Sequence, residues 1–422
     1  MVTLELMLTG FGVLFGALPN YVAPLIGGAF SGLLIYFGRR EIMGSGISKA
    51  IEMTHKPGSF KSNTAITKLI ATSVSIGSGN PVGREGPAIL IGASIGNSVG
   101  RRLGFTEDSH LRVFLMMGAA AATAGIYKAP LGGALFATES PYRRDAMLGY
   151  FVPTVISALT SYIIFAMIMG INPILQFGAS FILTLDVLPF LVMFGLVAGF
   201  LSIAFAVVFM GTRNLFALKL PDWADPIAGS ALACIVIFLT GLFLDPSLTI
   251  AGMGYDVINS LASANVPIML LVMLLFGKLF ASSFVVAGRV SGGVLASSLF
   301  VGAMLGAIFG EVFFPDEVGA FIFLGMGAVL AATTNTPVAT TIMMLEMSHS
   351  FDLIIPLVLC VCISYLVSGG TSLYEGQKTS RDDDEEGFYT IAKDRPRAEG
   401  KLELNETDAN AVNSEQRDEN NQ

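Results

Sequence analysis

The residues best suited to chemistry in this chain lie in one glycine-rich stretch, Gly77-Ser-Gly-Asn-Pro-Val-Gly-Arg-Glu-Gly-Pro87. Its glycines let the backbone turn tightly and leave amide groups uncovered. Pro87 suits the first turn of a helix that begins near Glu85. Free N–H groups and the helix dipole make such an N-terminus a binding site for anions. An ionisable residue between apolar segments is a functional candidate by default, so Glu85 is the first candidate of the chain.

Two familiar nucleotide-binding motifs do not fit this stretch. A P-loop needs Lys and then Ser or Thr after its last glycine, whereas Arg84 and Glu85 follow the glycine here. A dinucleotide-binding motif needs a third glycine at the position that Val82 occupies. The alternative to an anion site is a simple turn between two helices.

Composition indicates a membrane protein. Of the 422 residues, 53% are hydrophobic and 13% are charged, whereas about 25% of the residues of a soluble protein are charged. Several apolar segments are shorter than the ~20 residues that cross a bilayer. Such segments predict broken or re-entrant helices, which are tolerated only inside protein or along a cavity. The 47 glycines agree with close packing of membrane helices.

The charged residues predict an orientation and a tail. The net charge is −8, and we expect the polar, acidic segment 375–422 to be a disordered cytoplasmic tail. Basic residues cluster in segments that we expect to be cytoplasmic loops: Arg39, Arg40, Lys49, Lys56, Lys61 and Lys68; Arg101, Arg102 and Arg112; Arg143 and Arg144. The sequence has no metal-ligand spacing and no nucleophile–base pair, so it favours transport over catalysis and predicts no cofactor.

The chain contains an internal repeat. The segments Gly118–Glu139 and Gly325–Glu346 carry Gly, Pro and Glu at the same offsets, and a similar match relates the region of Gly83 to that of Gly293. Two similar halves in a membrane chain indicate a transporter architecture with its substrate site near the midplane. Chance similarity between helices rich in small residues is the alternative. We expect Glu139 and Glu346, a pair related by the repeat, to be structural and hydrogen-bonded to backbone.

Four motifs together resemble those of the CLC family of chloride channels and transporters, over about residues 20–374. Gly83-Arg-Glu-Gly-Pro87 reproduces the family's second motif intact. Gly44-Ser-Gly-Ile-Ser48 and Gly292-Gly-Val-Leu-Ala-Ser297 are degraded forms of Gly-Ser-Gly-Ile-Pro and Gly-Gly-x-Phe-x-Pro. Tyr374 follows the last apolar segment, as the family's tyrosine does. The resemblance implies an all-α polytopic membrane domain, residues 1–374, with two inverted-topology repeats of tilted and re-entrant helices at about 20–170 and 180–374.

The resemblance also implies an anion site of uncharged donors. Its members would be the hydroxyls of Ser45 and Tyr374, the amides of Val294 and Leu295, and, for an outer site, amides near Arg84 and Gly86. Glu85 would be the gate, because its carboxylate mimics an anion, occupies the outer site, and leaves that site when protonated. The alternative to an anion-binding role is a purely structural one: a helix N-cap for Ser45, and an aromatic anchor at the membrane interface for Tyr374.

Position 140 departs from the proton-coupled members of the family. Those members carry a second glutamate where this chain has Ser140, and serine does not exchange protons near neutral pH. We therefore expect a passive or weakly coupled chloride channel. The alternative is a chloride/proton antiporter whose proton route avoids a carboxylate at this position. A non-transporting receptor or intramembrane enzyme is a third class, and a purified protein that collapses a chloride gradient would exclude it.

Two further expectations follow from the resemblance. It implies a homodimer in the plasma membrane, and the segment after Tyr374 is too short and too polar for the nucleotide-binding regulatory domains of some members. Arg289 lies close to the third motif, where it either raises the local anion concentration or belongs to a solvated loop.

Overall fold

The computed structural model describes residues 1–57, 63–175, 181, 183–217, 220–245, 247–261 and 266–380. These residues form helices and connecting turns, and the part of the chain that is described contains no β-strand. The α-helices are α1 Val2–Phe15, α2 Pro24–Tyr36, α3 Ile47–His55, α4 Thr64–Gly77, α5 Glu85–Arg102, α6 Asp108–Tyr127, α7 Pro130–Glu139, α8 Phe151–Met169, α9 Leu188–Ala217, α10 Asp225–Gly241, α11 Tyr255–Leu261, α12 Ile268–Ala287, α13 Leu295–Phe313, α14 Val318–Thr334, α15 Pro337–Ser348 and α16 Ile354–Ser368. Short 3₁₀ helices are Arg40–Ile42, Leu148–Tyr150, Pro315–Glu317 and Phe351–Leu353.

The helices fall into two length classes. Seven helical stretches in the described ranges are long and apolar enough to cross a membrane: those ending at Tyr127, Met169, Phe216, Ala287, Phe313, Thr334 and Ser368. Other apolar helices are shorter: α1, α2, α4 and α10 have 10–17 residues, and α7 and α15 have 10 and 12. These shorter helices have fewer than the ~20 residues that usually cross a bilayer, as the interrupted apolar segments predicted.

Each half of the chain has a hairpin of two helices whose glycines bring the backbones together. A Cβ atom added to Gly92 of α5 would overlap the carbonyl oxygen of Gly118 of α6. The same relationship joins Gly302 of α13 to Gly325 of α14. Small residues at such crossings let helices approach closely in a membrane, where lipid gives no hydrophobic drive for their association. The matched glycines of the repeat are therefore the residues that fix these two hairpins.

The second helix of each hairpin ends in the same way. Lys128 follows α6 with φ 52°, and Asn335 follows α14 with φ 57°. A left-handed residue at this position closes a helix and turns the chain sharply. Pro130 and Pro337 then open α7 and α15, because proline is tolerated at the first position of a helix.

The two halves are related by an inverted repeat. The carboxylate of Glu139, at the end of α7, contacts the first turn of α15, and the carboxylate of Glu346, near the end of α15, contacts the first turn of α7. Equivalent helices of the repeat thus pack antiparallel, so that the two halves have opposite orientations. Gly83 and Gly293 lie at the centre of this relationship. Each donates its amide to the other's carbonyl, at N···O distances of 2.8 and 2.7 Å.

The loop positions expected for the basic residues were wrong for several of them: Lys49 lies within α3, and Arg101 and Arg102 are the last residues of α5. Lys68 lies within α4 and its side chain is fully buried. Arg112 lies within α6, where its guanidinium donates to the carbonyl of Thr54 at 2.7 Å. A charge count along the sequence does not distinguish a loop residue from a buried donor to backbone carbonyls. Lys61 and residues 381–422 of the predicted tail lie outside the described residues. Lys378 and Thr379 do contact the membrane domain, through backbone hydrogen bonds to Pro141, Arg143 and Arg144.

Candidate anion site and gate

Glu85 is the first residue of α5, and its side chain is buried, with 1% exposure. The hydroxyl of Tyr255, at the start of α11, donates to its Oε1 atom at 2.9 Å. The other oxygen, Oε2, is buried and has no hydrogen-bond partner among the described residues. The amide of Ala296, in the first turn of α13, faces the carboxyl group. The carboxyl group thus lies where the first turns of two helices meet, which is favourable for negative charge.

Gly83 makes room for this position of the carboxyl group. A Cβ atom on Gly83 would overlap Glu85 Oε2 and would come within 2.7 Å of the Cβ of Ala296. Gly83 must therefore be glycine, because the Glu85 carboxyl group lies too close to its backbone for any side chain to fit. Gly86, the next glycine of the motif, packs against Ser45, since a Cβ there would lie 2.8 Å from the carbonyl oxygen of Ser45.

Arg84 precedes α5 and is also buried, with 8% exposure. Its guanidinium forms an ion pair with Glu5 of α1. A buried charge needs such a partner. Because Glu5 neutralises the guanidinium, the side chain of Arg84 does not offer a free cation to the site, which agrees with an anion site made of uncharged donors.

Ser45 and Val294 line a cavity of about 880 Å³, whose wall also includes Leu373 and Glu375 on either side of Tyr374. Ser45 Oγ accepts a hydrogen bond from the amide of Ile47 at 3.2 Å. A hydroxyl that accepts one hydrogen bond still has its own proton to donate. The capping interpretation and the anion-ligand interpretation of Ser45 are therefore compatible.

Val294 precedes α13, and Leu295 is its first residue. The first amides of a helix have no acceptor within the helix, and Val294 makes no side-chain cap that would occupy them. These amides are free to donate to a ligand, and Val294 lines the cavity. Backbone donors at Val294 and Leu295 stay a prediction.

Tyr374 is buried, with 2% exposure, and its hydroxyl has no hydrogen-bond partner in the described ranges. An interfacial anchor would be exposed to headgroups, so burial disfavours that interpretation. The backbone around it is fixed: its amide donates to Ser372 Oγ at 3.0 Å, and the amide of Glu375 donates to Ser48 Oγ at 3.1 Å. Ser48 stands where the family motif has proline, and here it holds the segment that carries Tyr374.

The other serine that replaces a motif proline, Ser297, makes a comparable contact. Its hydroxyl donates to the carbonyl of Pro81 at 3.3 Å and links α13 to the loop before Glu85. Both departures from the family pattern therefore add hydrogen bonds between segments of the site.

Ser140 follows α7 and is buried. Its carbonyl accepts a hydrogen bond from the side-chain amide of Gln377 at 2.8 Å. The carboxylate of the neighbouring Glu139 accepts hydrogen bonds from the amides of Val338 and Ala339 at 3.2 and 2.7 Å. The structural role predicted for Glu139 is confirmed, and the same holds for Glu346, which accepts from Leu131 and Gly132.

The sequence analysis missed two buried lysines that hold the loops of the site. Lys68 donates to the carbonyls of Ile42 and Gly44, at 2.7 and 2.6 Å, directly before Ser45. Lys278 of α12 donates to the carbonyls of Ile250 and Gly252, at 3.0 and 2.5 Å, and Gly252 lies three residues before Tyr255. The two lysines are 210 residues apart, the same separation as between Gly83 and Gly293. This correspondence between the two halves was the signal in the sequence that would have identified them.

Two tyrosines near Glu85 were also missed. Besides Tyr255, the side chain of Tyr127 is 1% exposed and lies within electrostatic range of Glu85, Tyr255 and Tyr374. Its hydroxyl has no hydrogen-bond partner in the described part of the chain. A tyrosine within apolar sequence looks like a packing residue, and only its position beside a carboxylate distinguishes it.

Arg289 lies in the wall of the cavity, with φ 65°, and forms an ion pair with Asp222. The charged residues that line the cavity balance each other: Arg40, Lys49, Arg213 and Arg289 against Glu41, Glu52, Asp222 and Glu375. The charges that line the cavity sum to zero, so Arg289 does not stand alone as an attractor of anions.

A family model described as voltage gated chloride channel matches residues 27–369 of this chain. The chain belongs to the CLC family. A voltage-gated ClC-type chloride channel ClcB of Salmonella dublin is 30% identical over 357 residues, which cover 81% of this chain and 82% of the relative. A putative ClcB-like chloride channel protein of Ralstonia nicotianae is 28% identical and covers 86% of each chain. Membership of the CLC family makes the chain a multi-pass integral membrane protein of a family that transports chloride.

Solved structures agree on the fold. A slow cyanobacterial Cl⁻/H⁺ antiporter superposes with a TM-score of 0.74 at 22% identity, over 93% of this chain and 92% of the other. A CLC-type fluoride/proton antiporter superposes with a TM-score of 0.72 at 22% identity, over 90% of this chain and 98% of the other. These likenesses show that the inverted repeat of helices described above is the CLC fold.

Proposed function

We propose that this CLC protein exchanges chloride for protons across the membrane, with Glu85 as the group that both blocks the anion path and carries the proton. The supporting observation is the position of its carboxyl group. The group is buried between the first turns of α5 and α13, and one of its oxygens has no hydrogen-bond partner among the described residues. Its segment contacts those of Ser45 and Val294, because Gly86 packs against Ser45 and Gly83 pairs with Gly293. A carboxylate that occupies an anion site competes with chloride, and its protonation releases the site.

The anion ligands in this proposal are those that the motifs suggested. Chloride at the inner site accepts from the hydroxyls of Ser45 and Tyr374 and from the amides of Val294 and Leu295. At the outer site it accepts from amides near Arg84 and Gly86, in place of the Glu85 carboxylate. Neutral donors suit a conduction path, because they bind an anion without trapping it.

The proton route differs from that of members with a second glutamate. Ser140 cannot carry a proton by titration, and Glu139 is held by the amides of α15. We propose that protons reach Glu85 through water or another side chain. The two antiporter structures with this fold favour coupled exchange, although Ser140 and the relatives described as chloride channels favour the second candidate, a passive chloride channel.

The assembly and orientation are part of the same proposal. We propose a homodimer in the plasma membrane, with the cavity on the cytoplasmic side. The basic residues Arg39 and Arg40 lie near the cavity, and positive charge favours the cytoplasmic face. Glu375 and Gly376 line the same cavity, so the chain after Tyr374 continues on that side.

The test is a paired measurement of chloride and proton flux from liposomes that contain the purified protein. An outward chloride gradient should drive protons uphill, and Glu85→Gln should abolish proton movement while chloride still passes. Rapid chloride efflux with no proton movement would establish the passive channel instead. No efflux of chloride at all would exclude both candidates. Replacing internal chloride by fluoride in the same vesicles measures selectivity between the two anions.

A further inference from the structure

We propose that Tyr255 is a positioning residue of the gate: its hydroxyl holds the ionised Glu85 carboxylate in the blocking position and sets how readily the gate leaves the anion path. This inference rests on the proposed role of Glu85. It goes beyond that role because Tyr255 lies outside the four motifs and belongs to α11, in the other half of the repeat.

The contact itself is direct. The hydroxyl of Tyr255 donates to Glu85 Oε1 at 2.9 Å; Glu85 is buried and Tyr255 is half-buried. A hydrogen bond to a charged acceptor is stronger than one between neutral groups. Since Oε2 has no partner among the described residues, the Tyr255 hydroxyl supplies the side-chain hydrogen bond of the blocking carboxylate. Its loss would weaken the blocking state more than a released state.

The loop that carries Tyr255 is fixed in three ways. Lys278 donates to the carbonyls of Ile250 and Gly252. The amide of Gly252 donates to the carbonyl of Gly79 at 2.9 Å, within the stretch that leads to Glu85. Gly254, with φ 92°, packs so closely on the ring of Phe300 that a Cβ atom would overlap it.

This fixed loop places the tyrosine with little freedom. The ammonium of Lys278 also lies 5.0 Å from the centre of the Phe300 ring, so the same aromatic residue supports both the lysine and the glycine turn. A donor that is held in advance loses little entropy when the carboxylate returns to it. The buried lysine of the second half thus acts on the gate through Tyr255.

Other charged and titratable groups surround the carboxyl group, and the test must separate them. Arg84 on α5 is paired with Glu5 on α1, and Lys278 approaches from α12. Tyr127 at the end of α6 and Tyr374 after α16 lie within electrostatic range of Glu85. Among these surrounding side chains, Tyr255 is the one that donates a hydrogen bond to the Glu85 carboxylate in the described part of the chain.

The experiment compares Tyr255→Phe with Tyr127→Phe in chloride efflux from liposomes, across acid to neutral pH. Both variants delete one hydroxyl near Glu85, but only Tyr255→Phe removes a hydrogen bond to its carboxylate. We expect Tyr255→Phe to raise efflux at neutral pH by about tenfold, the factor for losing one hydrogen bond to a charged group. The pH of half-maximal efflux should move upward, because a less stabilised carboxylate protonates more readily. Tyr127→Phe should change efflux by less than about threefold.

The same inference is tested in a second way, in protein that lacks the Glu85 carboxylate and by a measurement of chloride binding. In Glu85→Ala protein, adding Tyr255→Phe should change nothing, because the residue acts through the carboxylate. Chloride binding to purified Tyr255→Phe, measured by calorimetry, should tighten, because the competing carboxylate is weaker. Equal effects of the two Phe variants, or an effect of Tyr255→Phe that persists without Glu85, would overturn the inference.

The outcome also separates this inference from the proposed function. If wild-type protein moves no chloride and Glu85→Ala changes nothing, the proposed function fails. If Glu85→Ala opens the path and Tyr255→Phe leaves efflux, its pH profile and chloride binding unchanged, only the role of Tyr255 fails.

Discussion

Glu139 and Glu346 each cap the helix that carries the other. Glu139 accepts hydrogen bonds from the amides of Val338 and Ala339 at the start of α15, and Glu346 accepts from Leu131 and Gly132 at the start of α7. Both carboxylates therefore satisfy amides that the helices leave free, and both lie at the positive end of a helix dipole. This reciprocal pair fastens the two halves of the protein to each other.

Replacing Glu139 by glutamine should destabilise this junction. Glutamine has one acceptor oxygen, and its NH₂ group would face a backbone amide that also donates. We expect a loss of about 1–3 kcal/mol in the free energy of unfolding, measured as a lower thermal unfolding midpoint in detergent. Asp316→Asn, at an exposed acid, is the control. An unchanged midpoint for Glu139→Gln would show that the junction does not depend on the charge.

Adding a methyl group at Gly83 should displace the gate. The Cβ of Gly83→Ala would overlap Glu85 Oε2, and the carboxyl group would have to leave its place between α5 and α13. We expect faster chloride efflux that depends little on pH, similar to that of Glu85→Ala. Gly319→Ala serves as the control, because the space around Gly319 is open. Wild-type efflux from folded Gly83→Ala protein would place the blocking carboxylate elsewhere.

Removing the Ser48 hydroxyl should weaken anion binding through Tyr374. Ser48→Ala leaves the amide of Glu375 without its acceptor and loosens the segment that carries the buried tyrosine. We expect the dissociation constant for chloride to rise by about three- to tenfold, the range for one neutral hydrogen bond, as measured by calorimetry. Ser109→Ala, on the exposed start of α6, should bind chloride as wild type does. A binding constant that Ser48→Ala leaves unchanged would separate Tyr374 from this contact.

The ion pair between Arg289 and Asp222 should set the anion concentration in the cavity. Asp222→Asn removes one negative charge from a balanced set and should raise efflux at low salt by about twofold, whereas Arg289→Gln should lower it by a similar factor. Both effects should fade at high ionic strength, because salt screens charges near solvent. Salt-independent changes would point to altered packing of the cavity wall.

The pH dependence of this pair is distinct from that of the gate. The hydrogen bond from Arg289 holds the pKa of Asp222 below its usual range. A carboxyl group whose pKa is lower in the folded protein than in the unfolded chain stabilises the folded state above about pH 3.9, the pKa in the unfolded chain. This stabilisation is lost only as the pH falls through the lower pKa of the folded state. The effect of Asp222→Asn on efflux should therefore be constant from neutral pH to about pH 5. A change within that window would belong to another group.

Much of the site was predictable because its motifs are local. The run from Gly83 to Pro87 places a carboxylate at a helix start, and the structure has α5 begin at Glu85. The repeat predicted that Glu139 and Glu346 are equivalent, and their reciprocal hydrogen bonds confirm it. Short-range pattern and internal symmetry are both visible in sequence.

The missed contacts join residues that are distant in the chain. Tyr255 reaches Glu85 across 170 residues, and Arg84 is paired with Glu5 across 79. Nothing in the local sequence of Tyr255 or Glu5 marks these contacts, since they arise only when the helices pack. Lys68 was misassigned for the same reason. Its charge suggested a loop, but carbonyls from another segment satisfy it inside the protein.

The two halves have the same arrangement of helices, but they differ at the first residue of one pair of equivalent helices. The first helix of the central hairpin begins with Glu85 in one half and with Leu295 in the other. In the proposed mechanism, an ion that approaches from one face of the membrane meets the titratable carboxylate early, and an ion from the opposite face meets it late. The membrane voltage would likewise act on a negative group that has no counterpart in the other half of the repeat. We therefore expect chloride transport to run more easily in one direction than in the other, with an asymmetry that depends on the pH on the side of Glu85.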